Sequence, residues 1–396
     1  MAIIYNNNFE AGKIIVAVNK RCSCFDKSVF YMDQVLEDID FEKIKVIFKS
    51  KKVNDKSNIG EIILVHLRRK DELSVINAIE KLSTNPYVIY VEPDYLFDVH
   101  IIPNDQYFKY LWGMEKIKAT DAWNYTTGSD DVVVGVVDSG IDHNHRDIKE
   151  NMWVSPNGQY INGWNFVDNN GNSMDKTGHG THVAGTIGAV GNNYIGIVGV
   201  CWKVKIASLK IGDFFMKLDA IIEAINFANE NNIPILNNSW GGRFYSPILR
   251  YAIEQYDGLF IVSAGNDGTN NDLFPDYPSS YDSDNIISVA SNNPDNTLAS
   301  FSNYGSESVD IAAPGTGILS LSLNNKYIYR NGTSMSAPYV AGAAALLKAY
   351  MPNLTTLEIK NILLSSATKY CNLDGKILTG GILNVNAMFE MANRLA

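Results

Sequence analysis

The stretch Val132-Val133-Val134-Gly135-Val136-Val137-Asp138-Ser139-Gly140 decides the fold. Its apolar residues run on without polar alternation, which reads as a strand buried on both faces. It stops abruptly at a carboxylate followed by a turn. Asp138 therefore sits at the carboxyl edge of a strand, where open α/β sheets gather their ligand and catalytic groups. Working outward, strands are expected over 204–211, 234–237 and 259–264, and helices over 218–229, 247–255, 334–349 and 356–366. Ile221, Ile222 and Ile225 fall on one face of the first of these helices. Alternating strands and helices of this kind specify an α/β fold with a parallel sheet.

The pentapeptide Gly332-Thr333-Ser334-Met335-Ser336, running into Ala337-Pro338-Tyr339-Val340-Ala341-Gly342, sets a hydroxyl at a glycine-flanked helix entrance. A serine hydroxyl attacks a carbonyl only when a neighbouring base, itself oriented by a third group, activates it. Gly178-His179-Gly180-Thr181-His182-Val183-Ala184-Gly185-Thr186 places a histidine between glycines at the head of a small-residue helix, open to close approach. Taken singly these segments are ambiguous, because an Asp after a strand often caps a helix and Gly-His-Gly also makes a tight turn. In the order Asp, His, Ser they resemble the signature segments of the subtilisin-like serine proteases, the subtilases. The resemblance runs from about Pro103 to the C-terminus, ending on Gly381-Ile382-Leu383-Asn384-Val385-Asn386-Ala387. It implies a subtilisin-like parallel sheet with helices on both faces, with Ser334 as nucleophile, His179 as general base and then acid, and Asp138 fixing the imidazole tautomer. The buried strand and polar loop Leu259-Phe260-Ile261-Val262-Ser263-Ala264-Gly265-Asn266-Asp267-Gly268 is similar to the family segment whose asparagine amide binds the developing oxyanion. Asn266 is the donor expected there, together with the Ser334 backbone N–H.

The resemblance also divides the chain into residues 1–100 and 101–396. Strand patterns at 13–18 and 62–67 and an amphipathic helix at 71–82 precede Val88-Ile89-Tyr90-Val91-Glu92-Pro93-Asp94-Tyr95, which is similar to the end of the subtilase inhibitory propeptide. That domain is a small α+β module that assists folding and plugs the active site, so the chain's own prodomain is an expected partner. Residues 19–58, including Lys49-Ser50-Lys51-Lys52, match it poorly and are expected to form a solvated elaboration.

For substrate, the resemblance implies a peptide or protein chain laid as an added strand. Ser239, Trp240 and Gly241 belong to one flanking segment, with Ala264 and Gly265 beside the pocket. The partner segment, Gly212-Asp213-Phe214-Phe215-Met216, departs from the glycine-rich family pattern; its phenylalanines are expected to narrow the subsites or to pack into the prodomain. Asp276, in Phe274-Pro275-Asp276-Tyr277-Pro278, stands where family members carry a small residue at the pocket floor, and it favours Arg or Lys before the scissile bond. A shifted loop would leave it a solvated surface acid. That preference conflicts with the processing bond aligned near His100-Ile101, since no Lys or Arg occurs between Lys81 and Lys109. No cofactor is expected for catalysis, but the loop with Asn192, Asn193, Ile195 and Ile197, joined by Asp105 and Asp147, matches a family site for structural Ca²⁺.

Composition bounds the alternatives. With 396 residues, 46% hydrophobic and 19% charged, the chain has room for one large and one small globular domain. Its longest apolar runs, such as 233–236 and 259–264, fall far short of the roughly 18 residues of a membrane span. Nearly all of the net charge of −10 lies beyond residue 100, a surface that repels nucleic acid. The first residues lack the basic and apolar regions of a secretory signal, so the expectation is a cytoplasmic protein, or a secreted one if a leader precedes them. Cys22, Cys24, Cys201 and Cys371 are too scattered for a disulfide framework or a zinc site. His143-Asn144-His145, beside Asp142, has the look of a metal cluster, but the resemblance makes it a solvated surface loop. Two rival functions stand beside a general endopeptidase: a narrow maturation protease trimming one leader, and an inactive peptide-binding scaffold, against which the intact Asp138, His179, Ser334 and Asn266 set speaks.

Overall fold

The computed structural model describes residues 9–19, 35–50, 58–96 and 101–395, which divide into two compact units, within Met1–Val99 and His100–Ala396. Cys22, Cys24 and His100 lie outside the described residues.

In the first unit, β1 (Phe9–Asn19), β2 (Phe41–Lys49), β3 (Ile59–Leu67) and β4 (Val88–Tyr95) form an antiparallel sheet in the order β2-β3-β1-β4. Helix α1 (Glu72–Leu82) starts at Asp71, whose side chain accepts the Ser74 N–H at 2.7 Å, and buries Val75, Ala78, Ile79 and Leu82. Their helical spacing packs one apolar stripe onto Ile14, Val16, Ile63 and Val65. The solvated elaboration expected over 19–58 contains a strand that the pattern did not foretell, β2. That strand is largely exposed, so it has no apolar face to betray it; backbone pairing to β3 holds it.

The second unit is built on a nine-stranded sheet. Its strands are β5 (Gly128–Asp138), β6 (Gly163–Asn165), β7 (Lys203–Lys210), β8 (Ile235–Asn238), β9 (Leu259–Ser263), β10 (Ile286–Asn292), β11 (Ile311–Pro314), β14 (Thr368–Lys369) and β15 (Gly381–Ile382), ordered β14-β15-β11-β10-β9-β8-β5-β7-β6. All neighbours are parallel except β14 against β15. A separate antiparallel hairpin joins β12 (Ile318–Ser322) to β13 (Lys326–Arg330). The helices are α2 (Trp112–Lys116), α3 (Ala119–Ala122), α4 (His179–Gly188), α5 (Leu218–Glu230), α6 (Pro247–Glu254), α7 (Thr333–Tyr350), α8 (Thr356–Ser365) and α9 (Val385–Leu395).

Period-2 geometry splits β5 between two cores, as the sequence pattern requires. Val134 and Val136 pack with α4, α7, α8 and α9 on one face, whereas Val137 packs with α5 and α6 on the other. From β5 the chain builds β6 and β7 on one side and β8 to β11 on the other, so the strand order reverses at β5. That reversal opens a crevice at the strands' carboxyl ends. Asp138 lies there.

Candidate active site

Asp138, the last residue of β5, is fully buried and accepts the Ser139 N–H at 2.7 Å on Oδ1. His179 opens α4, and its Nδ1 stands 2.8 Å from Asp138 Oδ1 and 3.0 Å from Oδ2. A carboxylate at Nδ1 keeps the proton there and leaves the lone pair on Nε2. The approach depends on Gly180, because an added Cβ would lie 2.2 Å from the Gly140 carbonyl oxygen. Burial pushes the His179 pKa down, but the charge and hydrogen bond of Asp138 outweigh it and hold the pKa above the ordinary 6.5, with Arg330 opposing and Asp175 assisting.

Asp175 ties this corner together. Its Oδ1 accepts from Ser139 Oγ at 2.9 Å, Thr177 N at 2.8 Å and Gly178 N at 3.0 Å; its Oδ2 accepts from Thr181 N at 3.0 Å and Thr181 Oγ1 at 2.7 Å. The carboxylate thus caps the helix that carries His179 and links it to the Asp138 turn. Lys210, buried at the end of β7, donates to the Ser139 carbonyl at 2.7 Å and the Met174 carbonyl at 3.1 Å, and pairs with Asp213. His182 is buried and neutral, its pKa driven down to about 3 by burial and by the Arg330 charge. Sequence reading assigned roles to none of these three. An Asp ahead of a helix start was a capping signal, but nothing in sequence announced that one carboxylate would serve so many donors.

Ser334 is the second residue of α7. Its Oγ donates to the Ser239 carbonyl at 3.2 Å, and Ser239 Oγ donates back to the Ser334 carbonyl at 2.9 Å. The hydroxyl is bonded to Ser239 and not to His179, in keeping with catalytic hydrogen bonds that form only once substrate is present. The Ser334 N–H, in the first turn of α7, has no intrahelical acceptor. Asn266 Oδ1 accepts from Thr333 N at 2.8 Å and Thr333 Oγ1 at 3.0 Å, which occupies the amide oxygen and leaves the amide NH₂ as the free donor.

His179, Ser239, Trp240, Gly241 and Arg330 line a cleft of about 740 Å³. The Asp276 loop is pinned to its wall by paired bonds, Gly242 N to Tyr277 O at 2.8 Å and Tyr277 N to Gly242 O at 2.7 Å. Asp276 is buried between Gly241 and Gly265: a Cβ on Gly241 would lie 2.4 Å from its Oδ1, and one on Gly265 3.4 Å from its Cγ. Ala264, also buried, accepts from Asn271 Nδ2 at 2.9 Å. Asp276 Oδ1 has no hydrogen-bond partner among the described residues. Burial raises its pKa to about 6, against the pull of Arg243, which is itself paired with Asp267 at 2.7 Å. The solvated-acid alternative does not fit this burial. Phe214 and Phe215 stand on the cleft rim, 83% and 88% exposed, and within this unit they fill no pocket.

The sequence matches the subtilase family (Peptidase_S8) over residues 129–381. The chain belongs to the subtilase family. It is 35% identical over 317 residues to a thermophilic serine proteinase of Bacillus sp. (strain AK1), covering 78% of this chain and 75% of that one. It is 36% identical over 251 residues to thermitase of Thermoactinomyces vulgaris, covering 62% and 85%. Among solved structures it is similar to a protease from Pseudoalteromonas arctica, with a TM-score of 0.64 and 28% identity over 73% of this chain and 99% of that one. This subtilase is a serine endopeptidase, and its family needs no cofactor for catalysis.

Away from the cleft, the loop after α4 encloses Asp105 and Asp147. Asn192 N donates to Asp105 Oδ2 at 2.8 Å, while Asn193 Nδ2, Ile197 N and the Tyr327 hydroxyl donate to Asp147 at 2.9, 2.9 and 3.2 Å. The Ile195 N–H donates to Asn193 Oδ1 at 2.8 Å. Both carboxylates are buried, and neither forms an ion pair among the described residues. Burial raises the pKa of each, that of Asp147 to about 6 with a further push from Asp105. Among the described residues no group of three or more His, Cys, Asp or Glu gathers as a metal cluster. The His143-Asn144-His145 loop corrects the expectation of full solvation: His145 is buried, its Nε2 3.1 Å from the Lys326 carbonyl and its ring edge-on to Tyr327. Cys201 is buried and Cys371 exposed, both as free thiols. No helix among the described residues is long and apolar enough to cross a membrane.

Proposed function

We propose that this subtilase hydrolyses peptide bonds through Asp138, His179 and Ser334, with Asn266 and the Ser334 N–H stabilising the oxyanion, and that it prefers Arg or Lys before the scissile bond. The observation that supports the specificity is a buried carboxylate, Asp276, whose Oδ1 has no partner among the described residues and lies directly behind Gly241, part of the cleft wall with Ser239 and Trp240. In the reaction, His179 Nε2 takes the Ser334 proton as Oγ attacks the carbonyl carbon, and the negative charge moves onto the carbonyl oxygen between Asn266 and the Ser334 N–H. The tetrahedral intermediate then collapses, the C–N bond breaks, and His179 returns the proton to the leaving amine. Water repeats the cycle on the acyl-enzyme. Asp138 stabilises the imidazolium throughout.

The test compares matched peptides bearing Arg, Leu or Phe before the scissile bond. Even a partly screened ion pair of ~1–1.5 kcal/mol gives about tenfold discrimination for Arg. The preference should hold above about pH 6, where Asp276 is ionised, fade below it, and disappear in Asp276→Asn. A wild-type preference for Leu or Phe, or an Arg preference that survives Asp276→Asn, removes Asp276 from the pocket floor.

The first unit is proposed to act as the prodomain, on the likeness of β4 and its Val-Glu-Pro-Asp segment to a propeptide end, dividing the chain into residues 1–100 and 101–396. A structural Ca²⁺ is proposed at Asp105 and Asp147, with the Asn193 side chain and the Ile195 and Ile197 carbonyls as the remaining oxygen donors. Two buried carboxylates without a counter-cation among the described residues, one with an orphaned Oδ1 on Asp105, suit that hard ion. Stability supplies the check, read on Ser334→Ala protein to prevent self-digestion. Without the cation, the raised folded-state pKa of Asp147 costs stability as pH rises from about 3.8 through about 6, a loss of roughly 3 kcal/mol. Chelated protein should therefore melt lower at pH 8 than at pH 5, and Ca²⁺ should abolish the difference. A melting temperature indifferent to chelator at pH 8 refutes the site.

A further inference from the structure

We propose that Arg330 selects an acidic side chain in the residue immediately after the scissile bond, so that the cleft reads a carboxylate on its leaving-group side. This rests on the triad and acyl-pocket reading above. Arg330 ends β13, from which the chain passes through Asn331, Gly332 and Thr333 to Ser334. The hairpin is fastened to α4, because His182 Nε2 lies 3.0 Å from the Ile318 carbonyl and 3.2 Å from that of Ile328, and Ser320 Oγ donates to the His182 carbonyl at 2.7 Å. The guanidinium is thereby held beside the catalytic helix. Its Nη2 donates to the Thr177 carbonyl at a long 3.3 Å and lies 3.5 Å from where a Cβ on Gly178 would stand.

A guanidinium carries five N–H donors, and this one is poorly used. Its Nε is buried without a partner, and no carboxylate among the described residues forms an ion pair with it. Yet it lines the cleft together with His179, and its charge opposes the imidazolium that His179 must become. A half-buried cation that shares the cleft with the catalytic base calls for an anion that arrives with the substrate. Ser239, Gly241 and Asp276 take the acyl half, while His179 hands its proton to the departing amine. The amine half therefore leaves past His179, on the side where Arg330 stands. An Asp or Glu side chain there would pair with the guanidinium and offset its repulsion of the imidazolium. With Asp276, the cleft then reads a basic residue before the bond and an acidic one after it.

The test measures kcat/KM for peptides with Asp or Ala after the scissile bond, each with Arg and with Leu before it, so that this ratio is read independently of Asp276. Wild type should favour Asp by about tenfold, Arg330→Lys should keep part of that ratio, and Arg330→Met should reduce it to below about twofold. Taking the ratio within each variant cancels any difference in folded fraction. The affinities of Ser334→Ala protein for the same fluorescent peptides give the ratio without turnover, so failed hydrolysis would count against the nucleophile and not against Arg330. A ratio near one for Ser334→Ala protein that keeps Arg330, or a ratio unchanged when Arg330→Met is added, overturns the proposal and leaves Arg330 as a structural tie to Thr177.

Discussion

Replacing Ser334 by alanine is expected to lower peptide hydrolysis by about 10⁴- to 10⁶-fold in kcat/KM, the scale known for the same constellation in subtilisin. The loss is chemical. Without Oγ, neither the proton transfer to His179 nor the acyl-enzyme is available, and only oxyanion binding and positioning remain. The fold should barely notice, because Oγ makes a single 3.2 Å bond to the Ser239 carbonyl, worth about 1 kcal/mol. Melting within a few degrees of wild type is the accompanying expectation. Residual activity within about tenfold of wild type would mean that another group does the chemistry.

Asn266→Ala should cost about 10²- to 10³-fold in kcat with KM nearly unchanged, again the scale reported for the equivalent loss in subtilisin. The split between kcat and KM follows from when the bond is made, since the amide is aimed at a charge that exists only after attack. Thr333 N and Oγ1 both donate to Asn266 Oδ1, which occupies the amide oxygen and leaves the NH₂ end as the donor. Thr333→Val removes one of those bonds and should produce a smaller loss of the same kind. A mutant that raises KM and leaves kcat intact would instead make Asn266 a ground-state contact.

What could be read from sequence was what local pattern dictates. The strands β7, β8 and β9 and the helices α5 to α8 follow from periodicity, and their ends fell within one residue of expectation, whereas β5 starts at Gly128, four residues before the apolar run that announced it. Asp138 stood out as a carboxylate closing a buried strand, whereas the roles expected of His179, Ser334 and Asn266 came from the resemblance of their glycine-marked segments to those of the subtilases. What stayed hidden depends on pairing across long separations. The short strands β6, β14 and β15 have too few residues to show a period, and β2 has no buried face. Arg330 carries no signal of its own in the sequence. Only the fastening of β12 and β13 to His182 brings it to the cleft. Asp175 and Lys210 act through several backbone groups at once, which no spacing rule reveals. Asp276 was legible as a position, whereas its unpartnered burial is a property of the folded pocket alone.

The proposed mechanism requires that Ser334 be the nucleophile activated by His179. A fluorophosphonate probe reacts with a serine only when that serine is activated, so mass mapping of the labelled protein reads the claim directly. The adduct is predicted on Ser334, forming rapidly at pH 8, slowing as pH falls through the raised His179 pKa, and absent in His179→Ala. Labelling at a different serine, or labelling of Ser334 that persists undiminished in His179→Ala, would contradict it.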